Sequence, residues 1–195
     1  MTNEGEWVRS VLRTRLHHDL QRCNEDDCKV VVDSGKRLTY AYEILQYRVD
    51  GPDQPQIAGY ETDLLVYDAR DDGHWIPRVV VECKKGSITT HDALTYSTKA
   101  ATHKQVHPYL RYGILIGDLG PSLPGRLIRH GAYFDFMVAW RSETPTGNEW
   151  RELVQMLKDE IVASRMLHAL LSDSRSKARK KVRLLHRPLR LTISK

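Results

Sequence analysis

The feature that most constrains this chain is the run Val79-Val80-Val81-Glu82-Cys83-Lys84, in which three β-branched residues lead straight into two charges. Such side chains favour extended backbone, because they pack well on a pleated surface. A strand alternates its side chains, so Glu82 and Lys84 share one face and Cys83 takes the other. A second apolar run, Thr62 to Asp68, precedes the first, and Asp71-Asp72-Gly73 lies between them. That pattern predicts an antiparallel pair joined by a hairpin loop. Asp63 then opens one strand while Glu82 and Lys84 close the next, so three charges converge at one end of an apolar sheet. Each charge alone is costly to bury. A hard divalent cation held between Asp63 and Glu82 offsets that cost, and Mg²⁺ suits oxygen ligands of this kind. Phosphodiester hydrolysis uses such a grouping. The metal stabilises charge on the phosphate and lowers the pKa of a bound water, while Lys84 positions or activates the nucleophile.

The rest of the sequence predicts a mixed sheet flanked by helices in one domain, residues 1–174, followed by a basic segment, residues 175–195. Trp7, Val8, Val11, Leu12 and Leu16 recur at helical spacing and predict a helix over residues 5–21. Strands are expected at Lys29–Asp33 and Leu38–Val49, with a loop at residues 51–55. A helix is expected over Thr90–Val106, with Asp92 near its start. Tyr112–Gly117 and Tyr133–Trp140 read as strands. Asn148–Leu171 reads as a long helix whose face includes Trp150, Leu153, Leu157, Ile161, Met166 and Leu170. The order is helix, three strands, helix, strand, strand, helix.

Composition narrows the class. At 195 residues the chain holds one ordinary domain, and its apolar and charged fractions are those of globular proteins. No apolar run reaches membrane-spanning length, and the N-terminus lacks a signal peptide's basic and apolar regions, so a cytoplasmic protein is expected. Three cysteines, Cys23, Cys28 and Cys83, argue against a disulfide framework. Joined with His17 and His18, the first two match no usual zinc spacing. Nine of the 30 Lys and Arg residues lie between Arg175 and Lys195, against none of the 25 acids. The positive balance is therefore confined to the C-terminal segment, which suits a polyanionic partner such as nucleic acid. A solvated tail is the alternative.

The segment Glu61-Thr62-Asp63 with Val79-Val80-Val81-Glu82-Cys83-Lys84 resembles the signature of the PD-(D/E)XK nuclease superfamily, which includes many type II restriction endonucleases and repair nucleases. The resemblance implies a restriction-endonuclease-like core of helix, three strands, helix and strand. It also implies that Asp63 and Glu82 bind Mg²⁺, with Mn²⁺ able to substitute, that Cys83 contributes its backbone carbonyl, and that Lys84 is the catalytic lysine. Thr62 stands where the motif's name has proline, a position that varies widely. A second match, Asp27-Cys28-Lys29, precedes its apolar run instead of following it, and no strand upstream supplies a partner aspartate.

Further candidates come from the same resemblance. The family often places an acid on its first helix, and Glu6 fits that usage, with Glu43 as a rival. Gln105 and Tyr109 fall at the spacing of a Q-x-x-x-Y element, interrupted here by Pro108. Lys99, His103 and Lys104 can face phosphates or form an exposed helix face, and Arg179, Lys180, Lys181 and Arg183 are the candidates in the basic segment. Three functions follow. One is a DNA endonuclease that acts as a homodimer on double-stranded DNA. The others are a RecB-like processing nuclease and a non-catalytic nucleic-acid-binding protein.

Overall fold

The computed structural model describes residues 3–25, 27–120, 122–177, 181–186 and 189–192. The opening helix starts as α1 (Glu4–Glu6), widens into a π-helical stretch at Trp7–Arg13 and continues as α2 (Thr14–Leu20). Its stripe of Trp7, Val8, Leu12, Leu16 and Leu20 is buried. β1 (Lys29–Asp33) follows after a short 3₁₀ turn.

The next stretch departs from expectation. β2 (Arg37–Glu43), β3 (Tyr47–Arg48), β4 (Gly51–Pro52) and β5 (Gln56–Glu61) form an antiparallel ribbon outside the main sheet. The expected strand over Leu38–Val49 is thus two strands, and of the expected loop only Gly51–Pro52 pair, with Tyr47–Arg48, while residues 53–55 form no regular structure. The reason is a double-back: β2 finds its partner in β5, a strand not foreseen because Gly59 and Pro55 dilute its pattern.

The chain then enters the main sheet with β6 (Leu64–Ala69) and β7 (Trp75–Lys85), an antiparallel pair as expected. α3 (Thr90–Val106) crosses over to β8 (Arg111–Gly117), which runs parallel to β7. Gly86, at φ +74°, makes the sharp exit from β7. Thr89 and Asp92 then form a reciprocal capping box that fixes where α3 begins. A short helix not foreseen, α4 (Gly125–His130), leads to β9 (Phe136–Ala139), and α5 (Gly147–Asp173) closes the described fold. The five-stranded mixed sheet has the order β1-β6-β7-β8-β9.

The two faces of this sheet carry separate cores. Val79, Val81 and Cys83 of β7 pack with the opening helix and with Trp150, Leu153, Leu157 and Ile161 of α5. On the other face Val80 and Tyr112 pack with Ala100 of α3 and Leu38 of the ribbon, while Ile114 and Ile116 pack with Ala93 and α4. The expected stripe of α5 holds over its first half only. Met166 is exposed, because Ser164 and Arg165 turn inward there instead. No helix among the described residues is long and apolar enough to cross a membrane. Lys181, Val182, Arg183, Leu184 and Leu185 of the basic segment are exposed and without regular structure.

Candidate active site

β6 starts at Leu64, opposite Val81 of β7. Asp63, one residue earlier, therefore stands beside the last residues of β7. Its Oδ2 accepts the backbone N–H of Cys83 at 2.8 Å. In a strand the N–H and C=O of one residue point to the same edge, so the Cys83 carbonyl also lies on the Asp63 side. Cys83's side chain points the other way, into the apolar core beneath the sheet. Glu82 is 1% exposed and faces α3. Its Oε1 accepts a hydrogen bond from the Tyr112 hydroxyl and an ion-paired contact from Lys99 Nζ at 2.9 Å.

Asp63 and Glu82 lie close enough to share a hydrogen bond between their carboxyl groups. Burial, followed by the neighbouring charge of Glu82, pushes the Asp63 carboxyl up from 3.8 to about 6. One buried and one half-buried carboxylate with one ammonium make a centre deficient in positive charge. Burial and the same two carboxyls also push the Tyr112 hydroxyl well above its ordinary range, so it stays a donor.

Lys84 shares the Glu82 face but does not reach either carboxylate. Its Nζ lies 3.7 Å from Glu4 Oε1 and 5.9 Å from the centre of the Tyr96 ring. Burial draws its pKa down, yet Tyr96 and Glu4 outweigh burial and raise it above 10.5. Lys84 is therefore a standing cation at the mouth of the site. Glu4 is tied in place from its other oxygen, which accepts the N–H of Lys85 at 3.0 Å. Lys85 itself turns to the opposite face and pairs with Glu143 and Asp118.

Several expected positions need correction. Glu6 is exposed; the first-helix acid that reaches the strand end is Glu4. Glu4 precedes the buried Trp7 by three residues and so shares its side of the helix, whereas Glu6 lies off that side. Glu43 sits exposed at the far end of β2, because β2 leaves the main sheet to pair with β5. Gln105 is exposed, and Tyr109 packs on His168 at the other end of the sheet, 4.6 Å between ring centres. The interval of one helical turn and a proline carries both away from Glu82.

The expected phosphate-facing set changes as well. Lys99 is paired with Glu82. His103 is fully buried, stacked on Tyr112, and burial pushes it down to about 4, so it is neutral. Its Nδ1 and His107 Nε2 both donate to the Thr39 carbonyl, at 3.2 and 3.1 Å. Lys104 pairs with Asp135 at 2.8 Å and donates to the Tyr133 carbonyl. Among the basic-segment candidates, Lys181 and Arg183 are exposed, while Arg179 and Lys180 lie outside the described residues.

Sequence reasoning missed Glu4, Tyr96 and Tyr112, and it misassigned Lys99. The signals were present in part. Tyr96, Lys99 and His103 recur at three- and four-residue spacing on one helix face, and Tyr112 alternates with Ile114 on a buried strand.

The donor set suits a hard divalent cation. Asp63 and Glu82 supply adjacent carboxylate oxygens, and the Cys83 carbonyl is directed to the same edge. The unfavourable proximity of the two acids is what a cation relieves. Another acidic grouping, Glu25 with Asp27 and Cys28, lies at the opposite end of the sheet beside Arg165, and its two acids are exposed. The His17, His18, Cys23 and Cys28 set is not gathered: His17 Nδ1 accepts from the Val32 N–H, and His18 pairs with Asp19. No protein-family model matches this chain, and no curated protein sequence matches it.

Proposed function

We propose that the protein is a Mg²⁺-dependent nuclease of the PD-(D/E)XK kind that hydrolyses phosphodiester bonds in DNA. The observation that carries this reading is the pairing of half-buried Asp63 with buried Glu82 at adjacent strand ends, with Lys84 on the Glu82 face. The order of elements supports it. With the β2–β5 ribbon set aside, the opening helix, β1, β6, β7, α3 and β8 follow the helix, three strands, helix, strand order of that core.

Asp63, Glu82 and the Cys83 carbonyl would hold the metal. Bound there, it would neutralise the two carboxylates, stabilise charge on the phosphate and lower the pKa of a water. The chain's own residues set the geometry. Cys83 N–H fixes Asp63, and the Tyr112 hydroxyl fixes Glu82. Lys84 stays protonated, so it acts as an electrostatic partner for the phosphate or the attacking water and not as the base. Glu4 and Tyr96 orient its ammonium.

A single centre cuts one strand, so cleavage of a duplex calls for a homodimer. The basic segment, with Lys181 and Arg183 exposed, supplies phosphate contacts away from the centre. The test is incubation of the purified protein with supercoiled plasmid and Mg²⁺ or Mn²⁺, beside Glu82→Ala. Nicked and linear products from the wild type alone support the reading. Discrete bands indicate a restriction-like endonuclease, and a smear indicates a processing nuclease. DNA binding without cleavage under either metal would overturn catalysis and leave a binding protein.

A further inference from the structure

Lys99 holds a place that its position in the sequence does not announce. It lies on α3, fifteen residues beyond Lys84, yet it is Lys99 and not Lys84 whose ammonium rests on Glu82, at 2.9 Å from Oε1. The Tyr60 and Tyr96 rings flank that ammonium, each centre 5.6 Å away. Beside it opens a groove of about 340 Å³ between α3 and the ribbon, lined by Tyr60, Thr95, Thr98 and Thr102. The ammonium thus has an aromatic seat and adjacent space.

We infer that Lys99 is a resident counter-cation, which neutralises the Asp63–Glu82 pair in the metal-free protein and competes with the divalent ion for Glu82. This rests on the metal-dependent reading of the same site. Like charges repel strongly where little water screens them, so an ammonium seated on Glu82 opposes the entry of a divalent ion beside it. Its withdrawal towards the groove opens Glu82 to the ion. Without it, the two acids would face each other with no cation on Glu82, and the metal-free fold would be less stable. Lys99 is therefore a positioning residue with two opposed effects. It stabilises the metal-free site and weakens metal affinity.

The test compares full-length wild type with Lys99→Met and Lys99→Arg by calorimetric Mg²⁺ titration at pH 8. Melting temperatures are measured with and without Mg²⁺. Lys99→Met is expected to bind Mg²⁺ at least roughly tenfold more tightly, given the size of the removed repulsion, and to melt lower without the ion. Lys99→Arg, which keeps the charge, should remain near wild type. Lys99→Gln serves where the methionine variant does not fold. Unchanged or weaker Mg²⁺ binding in the neutral variants, with wild type binding normally, would overturn the counter-cation role alone. Absence of Mg²⁺ binding in every form would overturn this inference together with the metal-dependent function.

Discussion

The strands β6 and β7 carry a buried cluster of charges at each end, and the two clusters are balanced in opposite ways. At one end Asp68 is 2% exposed and meets two guanidinium groups. Arg165 clasps it with both its Nη2, at 2.6 Å from Oδ1, and its Nε, while Arg78 Nε lies 2.6 Å from Oδ2. Burial pushes this carboxyl up, but Arg165 and Arg78 outweigh burial and hold it below 3.8. At the other end two acids share one ammonium, and Asp63 rises to about 6. A compensated cluster joins α5 to the sheet. An under-compensated one leaves a deficit of positive charge, on which the proposed metal-dependent function rests. Burial of charge is common to both ends; the local balance of sign is what distinguishes them.

The comparison breaks most sharply on activity. Asp63→Ala, Glu82→Ala and Lys84→Ala are each expected to lower DNA cleavage by about 10²–10³-fold or more, while Asp68→Ala, assayed where it remains folded, should spare the catalytic step. Plasmid nicking under Mg²⁺ measures both arms. Full activity in any of the first three would remove the assignment. The carboxylate variants should also lose metal affinity, and Lys84→Ala should largely keep it.

Stability should show the reverse order. Asp68→Ala strips the buried Arg78 guanidinium of its carboxylate and leaves Arg165 only Glu25, the Cys23 carbonyl and the Cys28 sulfur, and loss of one partner from a buried pair costs about 3–5 kcal/mol. Asp63→Asn removes a carboxylate that is unfavourable at neutral pH, and the metal-free protein should melt a few degrees higher. Urea and thermal unfolding of the two variants separate the clusters; equal destabilisation would mean that the Asp63 end is an ordinary structural pair.

The pH dependence follows from the same two carboxyls, with opposite sign. Asp63 holds its proton more tightly folded than unfolded, so its stabilising contribution is full below its ordinary 3.8 and is lost as pH rises through about 6. Asp68 binds its proton less tightly when folded, so its contribution is present at neutral pH and is lost as pH falls below about 3.8. Mg²⁺ affinity should climb through pH 6 as Asp63 ionises, and Asp63→Asn should flatten that rise. A titration of Mg²⁺ binding between pH 5 and pH 8 reads it directly, and an affinity independent of pH would separate Asp63 from the metal.

The smallest effect is expected at Cys83, which lies between the two site residues but faces the core. Cys83→Val should keep most activity and change stability by less than about 1.5 kcal/mol, as near-isosteric apolar exchanges do. Its contribution to the site is main-chain, through the N–H on Asp63. Activity reduced as far as in Glu82→Ala, in protein of normal stability, would place its thiol at the chemistry.

What the sequence by itself determined is local and periodic. The valine run of β7, the limits of α3 and the opposite facing of Cys83 and Glu82 follow from β-branching, capping and the two-residue strand repeat, none of which needs a distant partner. What only the tertiary structure decided is which distant groups meet. Glu4 in place of Glu6 depends on the opening helix laying its Trp7 side against the end of β7, where Glu4 meets the Lys85 N–H. The removal of Glu43 depends on β2 choosing β5, and that choice is made by pairing across a loop. Lys99 and Tyr112 reach Glu82 from a crossover helix and a parallel neighbour, through contacts that no spacing encodes. Periodicity is a property of the backbone and travels with the sequence. Charge balance depends on packing between elements, which exists only once the sheet and its helices have closed around it.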